Sequence, residues 1–222
     1  MKYLLSGLLI FLLPVQGLTM QSEQLQELTL LKLKGPQAKK YVTDIADMRI
    51  TLFKEFPYLY EGAYSYEEEY LQTYFNSDEA NILLVLDKDK VVGFSSSIPL
   101  AEESQDLKAP FNEKELYIKD YFYIGEVMLQ PAYRGRGILR KFLEFHENQA
   151  LKNGYKYTVF MTVDRENNHP SKPKDYKSLD NIWKHFGYVI LPELKISLDW
   201  PQVGTNIYTN NKLSIWLKDI NK

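Results

Sequence analysis

The segment YFYIGEVML, residues 121–129, is the part of this sequence that most constrains its fold. Apolar side chains occupy both alternating sets of positions, which is typical of a strand buried on both faces of a sheet. Such a strand requires a covering layer on each side, so helices must pack on both faces of its sheet. Gly125 lies within the run and indicates either a β-bulge or a close approach to the backbone.

The remaining hydrophobic periodicity supplies the other elements of an α/β protein. Strands are predicted over residues 27–35, 81–87, 90–100 and 155–163, and two more follow residue 187. Helices are predicted over residues 36–56, 64–75, 135–153 and 178–187, and residues 101–115 form a loop or a short helix. This order predicts a mixed sheet flanked by helices. No linker divides the chain after Met20, and we predict a single domain over residues 20–222.

Residues 1–19 differ in composition from the rest of the chain. Lys2 precedes an apolar run over residues 3–13, and Gly17 closes a segment that resembles a secretory signal peptide. The run is shorter than the roughly 20 apolar residues of a membrane-spanning helix, so no stable membrane span is predicted. The chain has no cysteine, which excludes a lipid-modified N-terminus and a disulfide framework. Alternatively, translation starts near Met20, and residues 1–19 are a mis-assigned segment.

The segment PAYRGRGILRKF, residues 131–142, follows the apolar strand closely and opens a helix. Gly135 and Gly137 let a ligand approach the backbone, and the first helical turn presents unpaired N–H groups at the positive end of its dipole. Arg134 and Arg136 add positive charge, and the combination suits a pyrophosphate. The alternative is a helix entry with two solvated arginines. A Walker P-loop is excluded because no Gly-Lys-Ser/Thr follows, and the third glycine of the dinucleotide-binding motif is replaced by arginine.

The segment VMLQPAYRGRGILRKFL, residues 127–143, resembles the acetyl-CoA signature of the GNAT family of N-acetyltransferases. Both have an apolar strand, a proline and an Arg-x-x-Gly-x-Gly/Ala pattern that opens a helix. The matching positions are Arg134, Gly135, Arg136, Gly137 and Ile138. Leu139 departs from the small residue of the pattern, so its side chain should point into the helix–sheet core. Residues 53–62 and 181–188 are similar to those of an uncharacterised bacterial subgroup of the family.

The resemblance covers most of residues 26–218 and implies the acyl-CoA N-acyltransferase fold. In that fold, a mixed, mostly antiparallel sheet has a splayed central strand pair, and the pantetheine arm of acetyl-CoA lies between the two strands. The backbone of Val127, Met128 and Leu129 would then bind the pantetheine amides. The pyrophosphate would bind to the amides of Gly135, Arg136, Gly137, Ile138 and Leu139. Acetyl-CoA would be a co-substrate, and an amine would attack its thioester directly.

Glu126 is the catalytic residue that this resemblance implies. It lies on the strand that would splay, next to the pantetheine contacts, and partial desolvation would make its carboxylate a better base. The alternative is a glutamate at a strand edge, paired with lysine or arginine. Trp183 occupies a position at which many family members have a tyrosine. Tyr188, Tyr176 or water could serve as the general acid instead, and the sequence does not choose among them.

Composition and spacing disfavour other kinds of site. The three histidines, His146, His169 and His185, have no partner at metal-ligand spacing, and no metal site is predicted. The formal net charge is −2, and the arginines around residue 136 are not interleaved with aromatic residues, so no nucleic-acid partner is predicted. The acidic run at residues 67–69 either favours a cationic amine or forms a solvated helix face.

The sequence therefore predicts an N-acetyltransferase that moves an acetyl group from acetyl-CoA to a small-molecule or peptide amine. The acceptor itself is open, because pockets in this fold are built from variable loops. A non-catalytic CoA-binding or sensing module is the alternative, which the tryptophan at position 183 keeps open. Acetyl-CoA is a cytoplasmic metabolite, which favours a cytoplasmic protein over one exported by residues 1–17. The sequence does not indicate an oligomeric state.

Overall fold

The computed structural model of the chain describes residues 28–205 and 207–222. The segment that resembles a signal peptide, residues 1–19, lies outside this part. The described residues form seven strands: β1 (Leu28–Lys34), β2 (Asn81–Asp87), β3 (Lys90–Pro99), β4 (Tyr121–Leu129), β5 (Tyr157–Val163), β6 (Val189–Pro201) and β7 (Tyr208–Asp219). They also form six α-helices: α1 (Gly35–Ala38), α2 (Val42–Leu52), α3 (Tyr64–Phe75), α4 (Gln105–Glu113), α5 (Ile138–Lys152) and α6 (Asp180–His185).

The seven strands belong to one sheet in the order β1-β2-β3-β4-β5-β7-β6. Neighbouring strands are antiparallel except β4 and β5, which run parallel. Helix α5 connects these two strands, because parallel neighbours need a long crossover that returns the chain to the end of the sheet at which the first strand began. The prediction of a mixed, mostly antiparallel sheet flanked by helices is confirmed.

Helices cover both faces of the sheet. The first four helices lie on one face, where each contributes a fully buried side chain: Ala38, Ile45, Leu71 and Phe111. Helices α5 and α6 pack on the opposite face through Phe142, Leu143 and Trp183. The central position of β4 between these layers explains why its sequence is apolar at nearly every position. No helix among residues 28–205 and 207–222 is long and apolar enough to cross a bilayer.

Strands β4 and β5 pair only at their beginnings. Residues 121–123 of β4 lie opposite residues 157–159 of β5, and the pairing then stops. Beyond this point β4 remains paired with β3 as far as Leu129, and β5 remains paired with β7 as far as Val163. The two strands therefore diverge and leave a cleft, and the backbone groups of β4 that face the cleft have no strand partner.

A β-bulge at Gly125 decides which face of the sheet Glu126 occupies. Ser97 of β3 lies opposite Ile124, whereas Ser96 lies opposite Glu126, so Gly125 is an extra residue on β4. Side chains alternate between faces, and without the bulge Glu126 would share the α5 face with Ile124. A Cβ atom at Gly125 would also clash with the hydroxyl of Tyr74. Both predictions for Gly125, a bulge and a close approach, are confirmed.

The helix predicted over residues 36–56 is shorter and interrupted. It begins as α1, continues through a 3-10 turn over residues 39–41, and ends with α2 at Leu52. Residues 53–58 lie outside the helix. The carbonyls of Pro57 and Tyr58 instead accept hydrogen bonds from Arg165, at 2.7 Å and 2.9 Å. For residues 101–115 the sequence allowed a loop or a short helix, and the structure contains the helix α4 there. The Ser104 hydroxyl caps this helix by accepting a hydrogen bond from the Leu107 N–H.

His146 of α5 forms a fully buried polar contact with β3. Its Nδ1 lies 2.6 Å from the Ser97 hydroxyl and its Nε2 lies 2.8 Å from the Ser95 hydroxyl. A neutral imidazole has one donor and one acceptor, and the two hydroxyls can satisfy both. Burial lowers the pKa of His146 to about 3. The histidine is a structural residue of the helix–sheet interface.

This burial predicts a loss of stability in acid. The unfolded chain takes up a proton at this side chain near its ordinary pKa of 6.5, whereas the folded chain does so only near 3. The free energy of unfolding should therefore fall as the pH is lowered through this window, by about 1.4 kcal/mol per pH unit from this group. Urea unfolding between about pH 7 and pH 4 should show a shallower pH dependence for His146→Asn than for the native chain. The matched variant is His185→Asn at an exposed position, and equal slopes for all three proteins would contradict the prediction.

Candidate active site

The segment of residues 53–58, here called the crossing segment, contacts both sides of the β4–β5 cleft. On the β4 side, the carboxylate of Glu55 lies 4.0 Å from the guanidinium of Arg134. On the β5 side, the ring of Phe56 packs edge-on against Tyr176, with 4.6 Å between ring centroids. The crossing segment therefore spans the open end of the cleft. Its sequence belongs to the stretch that resembles a bacterial subgroup of the family.

The glycine-rich turn lies at the same end of the cleft, between β4 and α5. Gly135 (φ 77°) and Gly137 (φ 76°) both have left-handed backbone conformations. A Cβ atom at either position would meet nothing within 4 Å, so backbone conformation rather than crowding favours glycine there. No side chain caps the first turn of α5, and its N–H groups remain available at the positive end of the helix dipole.

The two arginines of the turn also stabilise its backbone. Arg134 Nε donates to the carbonyl of Leu129 (3.2 Å), and Arg136 Nη2 donates to the carbonyl of Ala132 (3.1 Å). Each guanidinium keeps further N–H groups for an anion, because arginine carries five donors. The two arginines are therefore bonded to the backbone of the turn and are not free in solvent.

Leu139 lies in the first turn of α5 and is half-buried. It packs against the cluster that includes Ile124, Phe160 and Trp183. The expectation that its side chain points into the helix–sheet core is confirmed. The larger side chain at this position therefore does not block the glycine-rich turn.

The three residues predicted to contact pantetheine lie on the unpaired edge of β4. Val127 and Leu129 direct their side chains toward α5, and Met128 is buried on the opposite face. Alternate residues of an antiparallel strand direct their N–H and C=O groups to opposite edges, so some of these groups face the cleft. The backbone rather than the side chains is what this stretch presents to the cleft.

Glu126 is buried on the face of β4 that α2 and α3 cover, with 6% of its surface exposed. Its Oε1 forms an ion pair with Nη1 of Arg49 from α2. Its Oε2 has no hydrogen-bond partner among the described residues. Nε of Arg49 also pairs with Oε2 of Glu67 from α3, and Tyr60 donates to the other Glu67 oxygen at 2.7 Å. The predicted base is thus part of a buried cluster.

Arg49 is held at the centre of this cluster by two carboxylates and two aromatic rings. Its guanidinium lies 4.1 Å from the ring centroid of Tyr70 and 5.1 Å from that of Phe53. Burial disfavours the charge, but Tyr70 and Glu67 more than offset this, and the pKa of Arg49 lies above its ordinary value. Arg49 is therefore a permanent buried cation beside Glu126.

Tyrosines line the same face beside the cluster. The hydroxyls of Tyr70 and Tyr74 lie 3.4 Å apart, and Tyr74 donates to Glu103 at 2.9 Å. Burial raises the pKa of Tyr70 to about 12 and raises the pKa of the Glu103 carboxyl. The phenols therefore stay protonated at neutral pH and act as hydrogen-bond donors.

Trp183 and the two tyrosine candidates for a general acid, Tyr188 and Tyr176, occupy different places. Trp183 is buried against Phe160, with 4.8 Å between ring centroids. Tyr188 is fully buried on the α5 face, where its hydroxyl donates to Glu147 at 3.0 Å, and burial raises its pKa well above the ordinary value. Tyr176 is half-buried against the crossing segment, and burial raises its pKa as well. None of the three belongs to the cluster around Glu126.

Arg49 is not among the site residues that the sequence predicted, and the acidic run at residues 67–69 is only partly a solvated helix face. Glu68 and Glu69 are exposed, as a solvated helix face requires, but Glu67 is completely buried. The positions of both cluster residues could be found from their spacing relative to buried apolar residues on the same helix. Arg49 is four residues after the buried Ile45, and Glu67 is four residues before the buried Leu71. A charged residue in register with an apolar helix face indicates a buried ion pair.

Solved structures share this architecture. An acetyltransferase from Streptococcus agalactiae gives a TM-score of 0.56 at 14% sequence identity, covering 87% of this chain and 99% of its own. A Salmonella typhimurium protein assigned as an acetyltransferase, with its cofactor acetyl-CoA, gives a TM-score of 0.55 at 12% identity, covering 88% and 95%. A ribosomal-protein-alanine N-acetyltransferase from Brucella melitensis gives a TM-score of 0.51 at 12% identity, covering 86% and 99%. At these identities the likeness establishes the fold.

The family follows from the sequence itself. A search of curated protein sequences found no match to the chain. A sequence model of the Acetyltransferase (GNAT) family does match, over residues 45–173. The match covers more than half of the chain and includes α2, the bulged β4, the glycine-rich turn and α5. The splayed strands, the uncapped helix and the matched sequence agree, and the chain belongs to the GNAT family of acetyl-CoA-dependent N-acetyltransferases.

Proposed function

We propose that this protein transfers the acetyl group of acetyl-CoA to an amine and that Glu126 is the catalytic base. The observation that carries the proposal is the buried carboxylate of Glu126, which lies beside the splayed strands with one oxygen unpartnered. A base in this position is next to the backbone that would bind the pantetheine arm. Geometry is the first requirement for a general base, and a position beside the proposed pantetheine site supports this role.

The donor site is proposed along the cleft and the glycine-rich turn. The backbone of residues 127–129 binds the pantetheine amides, and the amides of residues 135–139 bind the pyrophosphate. Two observations support this: the cleft-facing edge of β4 lacks a strand partner, and the first turn of α5 lacks a side-chain cap. The Salmonella protein of the same fold contains acetyl-CoA. Arg134 and Arg136 provide charge for the phosphates.

The reaction is proposed as direct transfer without a covalent enzyme intermediate. Glu126 accepts a proton from the ammonium form of the acceptor, directly or through water. The nitrogen lone pair then forms a bond to the thioester carbonyl carbon, and the carbon–sulfur bond breaks. The second nitrogen proton reaches the departing thiolate through solvent. The products are an amide and CoA, and Glu126 returns its proton to solvent.

The acceptor is proposed as a small-molecule or peptide amine. The Brucella melitensis protein acts, by its name, on an alanine of a ribosomal protein, so a peptide acceptor is compatible with this fold. No group of three or more possible metal ligands occurs among residues 28–205 and 207–222, and the proposed transfer uses no metal. The cytoplasm is the proposed compartment, because the donor is made and used there.

Release of CoA across a panel of amines tests the proposed activity. The chain has no cysteine, so a thiol-reactive dye reports the CoA thiol without background from the protein. We expect dye reaction that depends on acetyl-CoA, on protein and on an added primary amine, with amines drawn from alkylamines, amino acids and short peptides. A control without amine measures thioester hydrolysis. Tight binding of CoA without turnover of any amine would instead identify a non-catalytic CoA-binding module.

A further inference from the structure

The outer edge of β6 is open over residues 195–199, here called the β6 window. β6 is the last strand of the sheet. Within the described part of the chain, its outer edge meets other backbone near Pro201, whose carbonyl accepts a hydrogen bond from the Glu61 N–H at 2.9 Å. At the other end, residues 191–194 interrupt the pairing with β7 and include a proline. Bulges and prolines protect an edge from further pairing, and the β6 window has neither.

The backbone of the β6 window offers donors and acceptors at every second residue. The Pro201 carbonyl points outward, and the pairing of β6 with β7 is regular from residue 195 to residue 201. Neighbouring residues of an antiparallel strand direct their N–H and C=O groups to opposite edges. Lys195, Ser197 and Asp199 therefore direct both groups outward, where no strand lies beside them in the described chain. Such an edge can accept an additional strand from another molecule.

Helix α4 lies beside the β6 window and forms a groove with it. The groove has a volume of about 220 Å³, and its α4 side consists of residues that share one helix face: Asp106, Ala109, Pro110 and Glu113. Ile196 is buried in the same core cluster as Phe111 of α4, whereas Ser197 is exposed. The helix therefore covers the Ile196 face of the strand and leaves the Ser197 face open.

The charge of the groove indicates what kind of strand fits. Asp106 and Glu113 are exposed, and neither forms an ion pair within the described part of the chain. Lys195 is the single cation among the described residues that line the groove. A basic strand would therefore complement the α4 side. A second copy of the chain, paired through its own β6, would instead bring two more carboxylates to the same face.

We propose that the β6 window and α4 bind an extended, basic segment of a partner protein as an additional antiparallel strand. The inference does not rest on the proposed transferase function. Partner residues opposite Ser197 and the other outward residues exchange backbone hydrogen bonds with β6 and direct their side chains away from α4. The partner residues between them direct their side chains toward Asp106 and Glu113. The partner segment therefore carries lysine or arginine at alternate positions.

A fluorescently labelled octapeptide of alternating lysine and valine tests the β6 window by anisotropy with the full-length chain. An isomer with all lysines before all valines should bind at least about tenfold more weakly, because it cannot place its lysines on one face of a strand. N-methylation of the valine amides removes the donors that face β6 and should weaken binding at least about tenfold. N-methylation of the lysine amides, which face solvent, should leave the affinity within about twofold.

Variants of the chain test the two sides of the groove separately. Asp106→Asn with Glu113→Gln should weaken binding of the alternating peptide about fivefold. Asp78→Asn with Glu79→Gln removes the same two kinds of charge at exposed positions before β2 and should bind the peptide as the native chain does. Ser197→Pro removes one outward N–H and should weaken binding without loosening the pairing with β7. Thermal melting checks that each variant is folded.

Four results would overturn the proposal. They are no binding of the alternating peptide, equal affinity for the two isomers, equal effects of the two N-methylations, and an unchanged affinity of the Asp106→Asn, Glu113→Gln variant. Analytical ultracentrifugation tests the other occupant. A native dimer that Ser197→Pro converts to a monomer would assign the β6 window to a second copy of the chain and would also overturn the proposal.

Discussion

Replacing Glu126 by glutamine is expected to lower kcat by about 10²–10⁴-fold, the usual contribution of a general base. Glutamine has nearly the same shape and can still accept a hydrogen bond from Arg49, so the cluster keeps its packing. It cannot take a proton from the ammonium group. The nitrogen therefore stays protonated and has no lone pair with which to attack the thioester. The KM for acetyl-CoA should change little, since the donor is held by the backbone of β4 and by the glycine-rich turn.

Steady-state CoA release and calorimetric binding of CoA together measure this outcome. Glu126→Gln should retain the native affinity for CoA while its turnover falls. Glu193→Gln, an exposed carboxylate on β6, changes the total charge equally and should retain native turnover. A Glu126→Gln enzyme with kcat within about threefold of native would remove Glu126 from the role of base.

Replacing Arg49 by methionine is expected to destabilise the protein by about 3–5 kcal/mol, the usual cost of removing one partner of a buried ion pair. Methionine fills a similar volume and can still pack against Tyr70 and Phe53. However, Glu67 and Glu126 then remain buried without a counter-ion. The loss should exceed that of Glu67→Gln, which leaves one guanidinium facing one carboxylate.

Urea unfolding near neutral pH measures this destabilisation. The triple variant Arg49→Met, Glu67→Gln, Glu126→Gln contains no charge in the cluster and should recover most of the stability lost by Arg49→Met alone, because the cost arises from unpaired charge rather than from lost volume. Arg49→Lys keeps the charge without the planar fork and should be intermediate. An Arg49→Met variant as stable as the native chain would show that the two carboxylates have another counter-ion or are exposed to solvent.

The sequence predicted the backbone of the proposed donor site because its signals are local. The apolar run at residues 121–129, the glycine within it and the turn at residues 134–137 are each a few residues long, and each requires a particular backbone. Periodicity placed the strand β4 at its observed bounds and placed α5 within three residues of its observed start. The position of Leu139 in the core followed from the need to keep the turn open.

The buried cluster around Arg49 was less predictable because it depends on contacts between distant elements. Arg49, Glu67 and Glu126 lie on α2, α3 and β4, and no short motif contains two of them. Glu126 was identified from its strand, but the face it occupies depends on the bulge at Gly125, which moves it from the α5 side to the side of Arg49. The spacing indicates that Arg49 and Glu67 are each in register with the apolar face of their helix. It did not show that their charges meet at a single point.

The brief pairing of β4 with β5 has a consequence for how the chain assembles. It divides the sheet into two groups of strands, β1 to β4 and β5 to β7, and each group can form its antiparallel pairs without the other. Within the sheet, three residue pairs join the groups, and contacts outside the sheet, such as those of Arg165 with Pro57 and Tyr58, add to them. We expect the groups to form first and to dock last, so that the cleft is the final part of the molecule to appear. A molecule that contacts both walls would hold the two groups together and raise the unfolding temperature, and above its Kd the increase should grow with the logarithm of its concentration.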